Sequence, residues 1–116
     1  MIYKFLDFDW WWLIFWGLSV GVAGYPEGHL EAESMEKDLQ YLKEKVDAGA
    51  DLVITQLFYD CNRFVDFVKR CRDMGISIPI IPGIMPIQSY GGFKRMTEFC
   101  KTHVTQEILD RIILLL

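Results

Sequence analysis

At 116 residues the chain has room for one ordinary domain and no more. Hydrophobic residues make up 52% and charged residues 24%, which excludes a disordered composition. A net charge of −4 argues against a nucleic-acid binder or a protein held on anionic membranes, since both use basic surfaces. The three cysteines, Cys61, Cys71 and Cys100, are odd in number and widely spaced, so neither a disulfide framework nor a zinc site is expected. Cys71 and Cys100 sit among apolar neighbours and read as buried thiols, and a reducing, cytoplasmic compartment is the default.

Residues 1–17 form an aromatic leader, MIYKFLDFDWWWLIFWG, that contains all 4 tryptophans. Its apolar stretch is shorter than the ~20 apolar residues of a typical spanning helix. Lys4 is opposed by Asp7 and Asp9, a poor start for a signal peptide, and a tryptophan cluster is unlike a leucine-rich signal core. Secretion and membrane anchoring are therefore disfavoured. The leader reads as a non-native or alternative N-terminus joined near Leu18, and it carries no chemical motif.

From Leu18 onward, strand and helix patterns alternate. LSVGVAGY (residues 18–25), LVITQLF (52–58) and IPIIPGIM (78–85) are nearly continuous apolar runs, as expected for parallel strands covered on both faces. Pro79 and Pro82 weaken the third as a central strand. Ser34 is placed to cap a first helix with Met35, Leu39, Leu42 and Val46 on one face and Gly49 as its stop. Asp60 caps a second, with Phe64, Phe67, Val68 and Cys71 on one side and Gly75 at its end. Ser89 begins a third carrying Phe93, Met96 and Cys100, and Thr105 begins a terminal helix. This alternation predicts a parallel α/β fold. Three such units leave sheet edges open and cannot close a barrel, so the chain is expected to be part of something larger.

In such folds the working residues lie at the carboxyl ends of strands and in the loops that follow. The loop after the first strand, YPEGHLEAES (25–34), supplies a tyrosine ring, Glu27, Glu31, Glu33 and His29 just before a helix N-terminus, where an anion is favoured. Taken alone, it reads more readily as a solvated loop than as a binding loop. Gln56 is an amide in an apolar strand, which must be hydrogen-bonded if buried. It is either a core glutamine satisfied by backbone or an amide facing a heterocycle, and its place at the strand's end favours the second. Asp38 and Lys45 share one helix face two turns apart, which is most often solvated surface. No GxGxxG, P-loop, serine elbow or metal cluster is present, and His29 and His103 read as isolated.

The segments VAGYPEGHLEAES, DLQYLKEKVDAGADLVITQLFYD and CRDMGISIPIIPGIMPIQSY resemble consecutive parts of the methylenetetrahydrofolate reductase family, from about Val20 through Ile113. The resemblance implies a partial (β/α)8 TIM barrel over residues 18–116, about three consecutive parallel β-α units matching the fifth to seventh of the family's eight. It implies an FAD-dependent oxidoreductase that reduces 5,10-methylenetetrahydrofolate to 5-methyltetrahydrofolate with NADH or NADPH. Tyr25, His29, Glu31 and Ala32 match the family's FAD-contacting loop. Asp38 and Lys45 match positions that hold the FAD ribose and diphosphate, and Gln56 matches the glutamine that binds the folate pterin. Leu30 stands where the family usually has proline, which loosens the loop. The units bearing the family's catalytic glutamate have no counterpart before Leu18, so an inactive fragment or truncated isoform is expected. Two other readings stand beside it. One is a non-catalytic interaction protein that docks to the full-length reductase or to itself; the other is a leader-anchored membrane protein.

Overall fold

The structure, a computed structural model, describes residues 17–116; the expectations placed on residues 1–16 lie outside the described residues. The elements run β1 (Gly21–Gly24), α1 (Met35–Asp47), β2 (Leu52–Leu57), α2 (Cys61–Asp73), β3 (Ile80–Gly83), α3 (Tyr90–Cys100) and α4 (Gln106–Leu114). The strands form one parallel sheet in the order β1-β2-β3, with Val22 beside Val53 and Val53 beside Ile80. This is the α/β alternation expected, in the form of a partial β/α barrel. The strands are shorter than their apolar runs, because the flanking residues leave the ladder to enter loops. Pro82 sits within β3, an edge of the sheet among the described residues, where its missing N–H leaves no ladder bond unmade.

Local chemistry sets the helix ends as the sequence implied. The Ser34 hydroxyl accepts from the Lys37 N–H at 3.2 Å, Asp60 from the Asn62 N–H at 3.0 Å and Ser89 from the Gly92 N–H at 3.2 Å. Thr105 precedes α4 without a side-chain cap bond. At the end of α2, Gly75 takes a φ of +84°, its N–H donates to the Arg72 carbonyl and the Ile76 N–H reaches back to Cys71. That pair of bonds is a Schellman motif, and α1 ends the same way at Gly49. Arg72 then ties the following turn, donating to the carbonyls of Ile76 at 2.6 Å and Ile78 at 2.9 Å.

The core lies between one face of the sheet and the two helices α1 and α2. Val22, Leu39, Leu42, Val53, Phe67, Cys71 and Ile76 are buried there together. Burial pushes the Cys71 thiol up to about 11 against the opposing charge of Arg72, so it behaves as a small hydrophobe. The opposite face departs from expectation. Coverage on both faces was expected, but Ile54 is 50% and Ile81 45% exposed, while Val22, Val53 and Thr55 face the core. In a closed barrel these exposed residues point inward, where layers of side chains from the other strands fill the interior. Their apolar character is therefore explained by neighbours that three strands do not supply.

One close approach fixes how β3 meets β2. The Gly83 N–H donates to the Thr55 hydroxyl at 2.9 Å, at a break in register between Ile54 and Leu57. A Cβ on Gly83 would lie 2.0 Å from the Thr55 carbonyl oxygen, so only glycine fits. Thr55 is 5% exposed, and this bond satisfies it.

Candidate functional site

The β1–α1 loop is built from two consecutive turns. In the first, the Gly28 N–H donates to the Tyr25 carbonyl at 2.9 Å, with Pro26 at the second position fixing φ. In the second, the Ala32 N–H donates to the His29 carbonyl at 3.0 Å, which puts Leu30 at the second position. The Glu31 N–H donates to Nδ1 of His29 at 3.1 Å. The His29 ring meets Tyr25 edge-on, with centroids 4.6 Å apart. Glu31 is exposed and Ala32 half-buried.

Asp38 lies beneath this loop in the first turn of α1 and is 7% exposed. Its carboxylate is pulled two ways. Burial raises its pKa, while a hydrogen bond from the His29 backbone N–H and the charges of His29 and Lys45 lower it; burial dominates. Burial, with the Asp38 charge adding to it, also raises the Tyr25 hydroxyl above its usual value. Tyr25, His29, Asp38 and Lys45 are thus one electrostatic group, although the sequence places them across 21 positions. Lys45 makes no ion pair within 4.0 Å among the described residues, and its charge acts on Asp38 from beyond that distance.

Gln56 stands across from the loop. A cavity of about 310 Å³ is walled by Tyr25, His29 and Leu30 on one side and Phe99 and Cys100 on the other, with Gln56 between them. Of the two readings of Gln56, a core amide is ruled out: Gln56 is exposed on the uncovered sheet face, because alternation along β2 buries its neighbour Thr55 instead. Its Nε2 approaches Cys100 Sγ at 3.6 Å, and its Oε1 accepts from the Leu57 N–H at 3.3 Å. A second hollow over the exposed sheet face shares Tyr25 and Gln56 with the first. Gln56 therefore presents its amide at the meeting of two hollows.

Three residues carry more than the sequence indicated. Cys100 was read as a buried thiol and is half-buried at the cavity wall. Phe99, 77% exposed, adds an aromatic ring to that wall. His103 is not isolated: its N–H donates to both oxygens of Glu27, at 3.0 and 3.3 Å, and its Nε2 lies 3.6 Å from Asp60. No periodicity links positions so far apart in the chain. Among the described residues no three His, Cys, Asp or Glu side chains are grouped to hold a metal ion, and no helix is long and apolar enough to cross a membrane.

A probable methylenetetrahydrofolate reductase (NADH) of Oryza sativa subsp. japonica is 57% identical over 99 residues, covering 78% of this chain and 17% of the relative. A probable methylenetetrahydrofolate reductase (NADPH) of Caenorhabditis elegans is 53% identical over 92 residues, covering 79% of this chain and 14% of the relative. Methylenetetrahydrofolate reductase 2 of Saccharomyces cerevisiae is 44% identical over 96 residues, covering 81% and 16%. The chain thus spans less than a fifth of the length of these relatives. The family profile described as methylenetetrahydrofolate reductase matches residues 17–115, and the chain belongs to the methylenetetrahydrofolate reductase family.

Proposed function

We propose that residues 18–116 contribute part of the FAD site and one folate contact of an enzyme that reduces 5,10-methylenetetrahydrofolate to 5-methyltetrahydrofolate with NADH or NADPH. The observation that carries this is the group under the β1–α1 loop: a buried carboxylate, Asp38, held by the His29 N–H, with the Lys45 ammonium on the same helix face and acting on it electrostatically. A carboxylate suits ribose hydroxyls and an ammonium suits a diphosphate, so the residues present fit a dinucleotide. Tyr25, His29, Glu31 and Ala32 form the loop over that group, and Gln56 offers an acceptor and two donors to the edge of a pterin. Bound FAD would supply the hydride relay between reduced nicotinamide and folate, and Tyr25, His29, Asp38 and Lys45 are the residues that would hold it. The chain's own residues bind and orient, and a cytoplasmic location accords with this metabolic role.

By itself the chain presents this site in part. Three strands leave the Ile54 and Ile81 face uncovered, whereas hydride transfer requires donor and acceptor enclosed and in near contact. The full-length chain, purified free of host reductase, is expected to quench FAD fluorescence yet to form no methyltetrahydrofolate with reduced nicotinamide and methylenetetrahydrofolate. Flavin-dependent product would refute the partial-site reading, and an absence of FAD binding would refute the flavin reading. The exposed apolar sheet face favours one further reading: association with a full-length reductase or with a second copy. Co-purification with reductase, without flavin, is the result that would favour it.

A further inference from the structure

We propose that Glu27 is a positioning residue, a clasp that holds the two walls of the cavity at a fixed separation; this rests on the reading of that cavity as a flavin and folate site. Glu27 sits at the third position of the turn that begins at Tyr25, between Pro26, which fixes the turn, and Gly28, whose N–H closes it. Its backbone is therefore set before its side chain does anything. The carboxylate leaves the loop, and both of its oxygens accept the His103 N–H, at 3.0 and 3.3 Å. An ionised acceptor makes this stronger than a bond between neutral groups.

His103 belongs to the linker between α3 and α4, and Phe99, Cys100 and Thr102, which wall the far side of the cavity, immediately precede it. The same linker is moored at its other side, where the His103 ring lies 3.6 Å from the Asp60 carboxylate that caps α2. Glu27 thus couples the loop bearing Tyr25 and His29 to a linker that is itself anchored to the scaffold. The other polar tie across the cavity is the 3.6 Å approach of Gln56 to a thiol, a weak acceptor. Separation of the walls decides whether a flat heteroaromatic ring is gripped on both faces or on one.

The test compares the full-length wild-type chain with Glu27→Ala and Glu27→Gln, by amide hydrogen exchange at His103 and by FAD fluorescence titration. Glu27→Gln keeps an acceptor and loses the charge. In Glu27→Ala, exchange at His103 is expected to rise by about tenfold or more, the scale of losing one hydrogen bond to a charged group. FAD affinity is expected to fall by a similar factor, with Glu27→Gln recovering most of both and the urea midpoint little changed. Unchanged exchange at His103 in Glu27→Ala overturns the clasp. Faster exchange with FAD affinity equal to wild type overturns its role in shaping the site. A wild-type chain that binds no FAD overturns the flavin reading instead, and the exchange comparison then still upholds or overturns the clasp.

Discussion

Leu30 occupies the second position of the turn closed by the Ala32 N–H on the His29 carbonyl, the place where proline fits best. Its own N–H donates to no protein group among the described residues, so a proline there gives up no hydrogen bond. Leu30→Pro is expected to stabilise the chain by about 0.4–1 kcal/mol, through lost freedom in the unfolded state, seen as a higher urea midpoint at constant slope. A lower midpoint would show that this turn does not hold the angle proline needs. Asp38 makes a different prediction. Because burial raises its pKa, its protonated form is the one favoured on folding. Its contribution is full below the ordinary value of 3.8 and is lost as pH rises through the raised, folded value. Asp38→Asn cannot ionise, so its stability relative to wild type should increase as pH is raised from about 3 to 7, while its FAD affinity falls. A difference independent of pH would show that Asp38 titrates as in the unfolded chain. The loop and Gln56 were legible as candidates from residue type and position, whereas Asp38 and Lys45 read as solvated surface and became candidates only through the family resemblance. The burial of Asp38 was not legible, because which helix residues face the core depends on packing partners elsewhere in the chain.

At the scale of elements, the helices were legible nearly to the residue, since caps and stops act locally: Ser34 and Gly49 bound α1, and Asp60 and Gly75 bound α2. The strands were legible in number and direction but not in length. An apolar run does not distinguish ladder residues from the loops they enter, and residues 18–20, 25, 58, 78–79 and 84–85 fall outside the strands. The junction of β2 and β3 was hidden for the same reason, since nothing in IIPG announces that a glycine must touch Thr55. Gly83→Ala is expected to cost about 3 kcal/mol or more, because the added carbon would meet backbone 2.0 Å away and β3 must shift. Gly91→Ala is the matched control. A Cβ there meets nothing within 4 Å inside α3, and the change should gain up to about 1 kcal/mol from helix propensity. Equal stability of the two variants in urea unfolding would contradict the contact between Gly83 and Thr55.

At the scale of the molecule, the sheet has one finished face and one unfinished. Leu39, Leu42, Phe67 and Cys71 cover the first, whereas Ile54, Ile81 and Gln56 stand on the second with no strand facing them among the described residues. The site is divided in the same way. The loop, the pair proposed to hold a dinucleotide (Asp38 and Lys45) and the Gln56 amide belong to this chain, and on that proposal enclosure of the reacting rings falls to the rest of a barrel. The open sheet was legible in the sequence, because three strand-helix units do not close a barrel, and three parallel strands are what the described residues form. The residues that join the walls of the cavity, Glu27 and His103, became visible only in three dimensions. The most direct measurement grafts residues 18–116 in place of the matching segment of the Oryza sativa relative and determines flavin content and folate turnover. The account predicts that the graft retains FAD and turns over, that Lys45→Ala within it lowers flavin content, and that Gln56→Ala impairs folate turnover by roughly tenfold or more with flavin content nearly unchanged. Equal loss of flavin in both variants, with no separate folate defect, would contradict it.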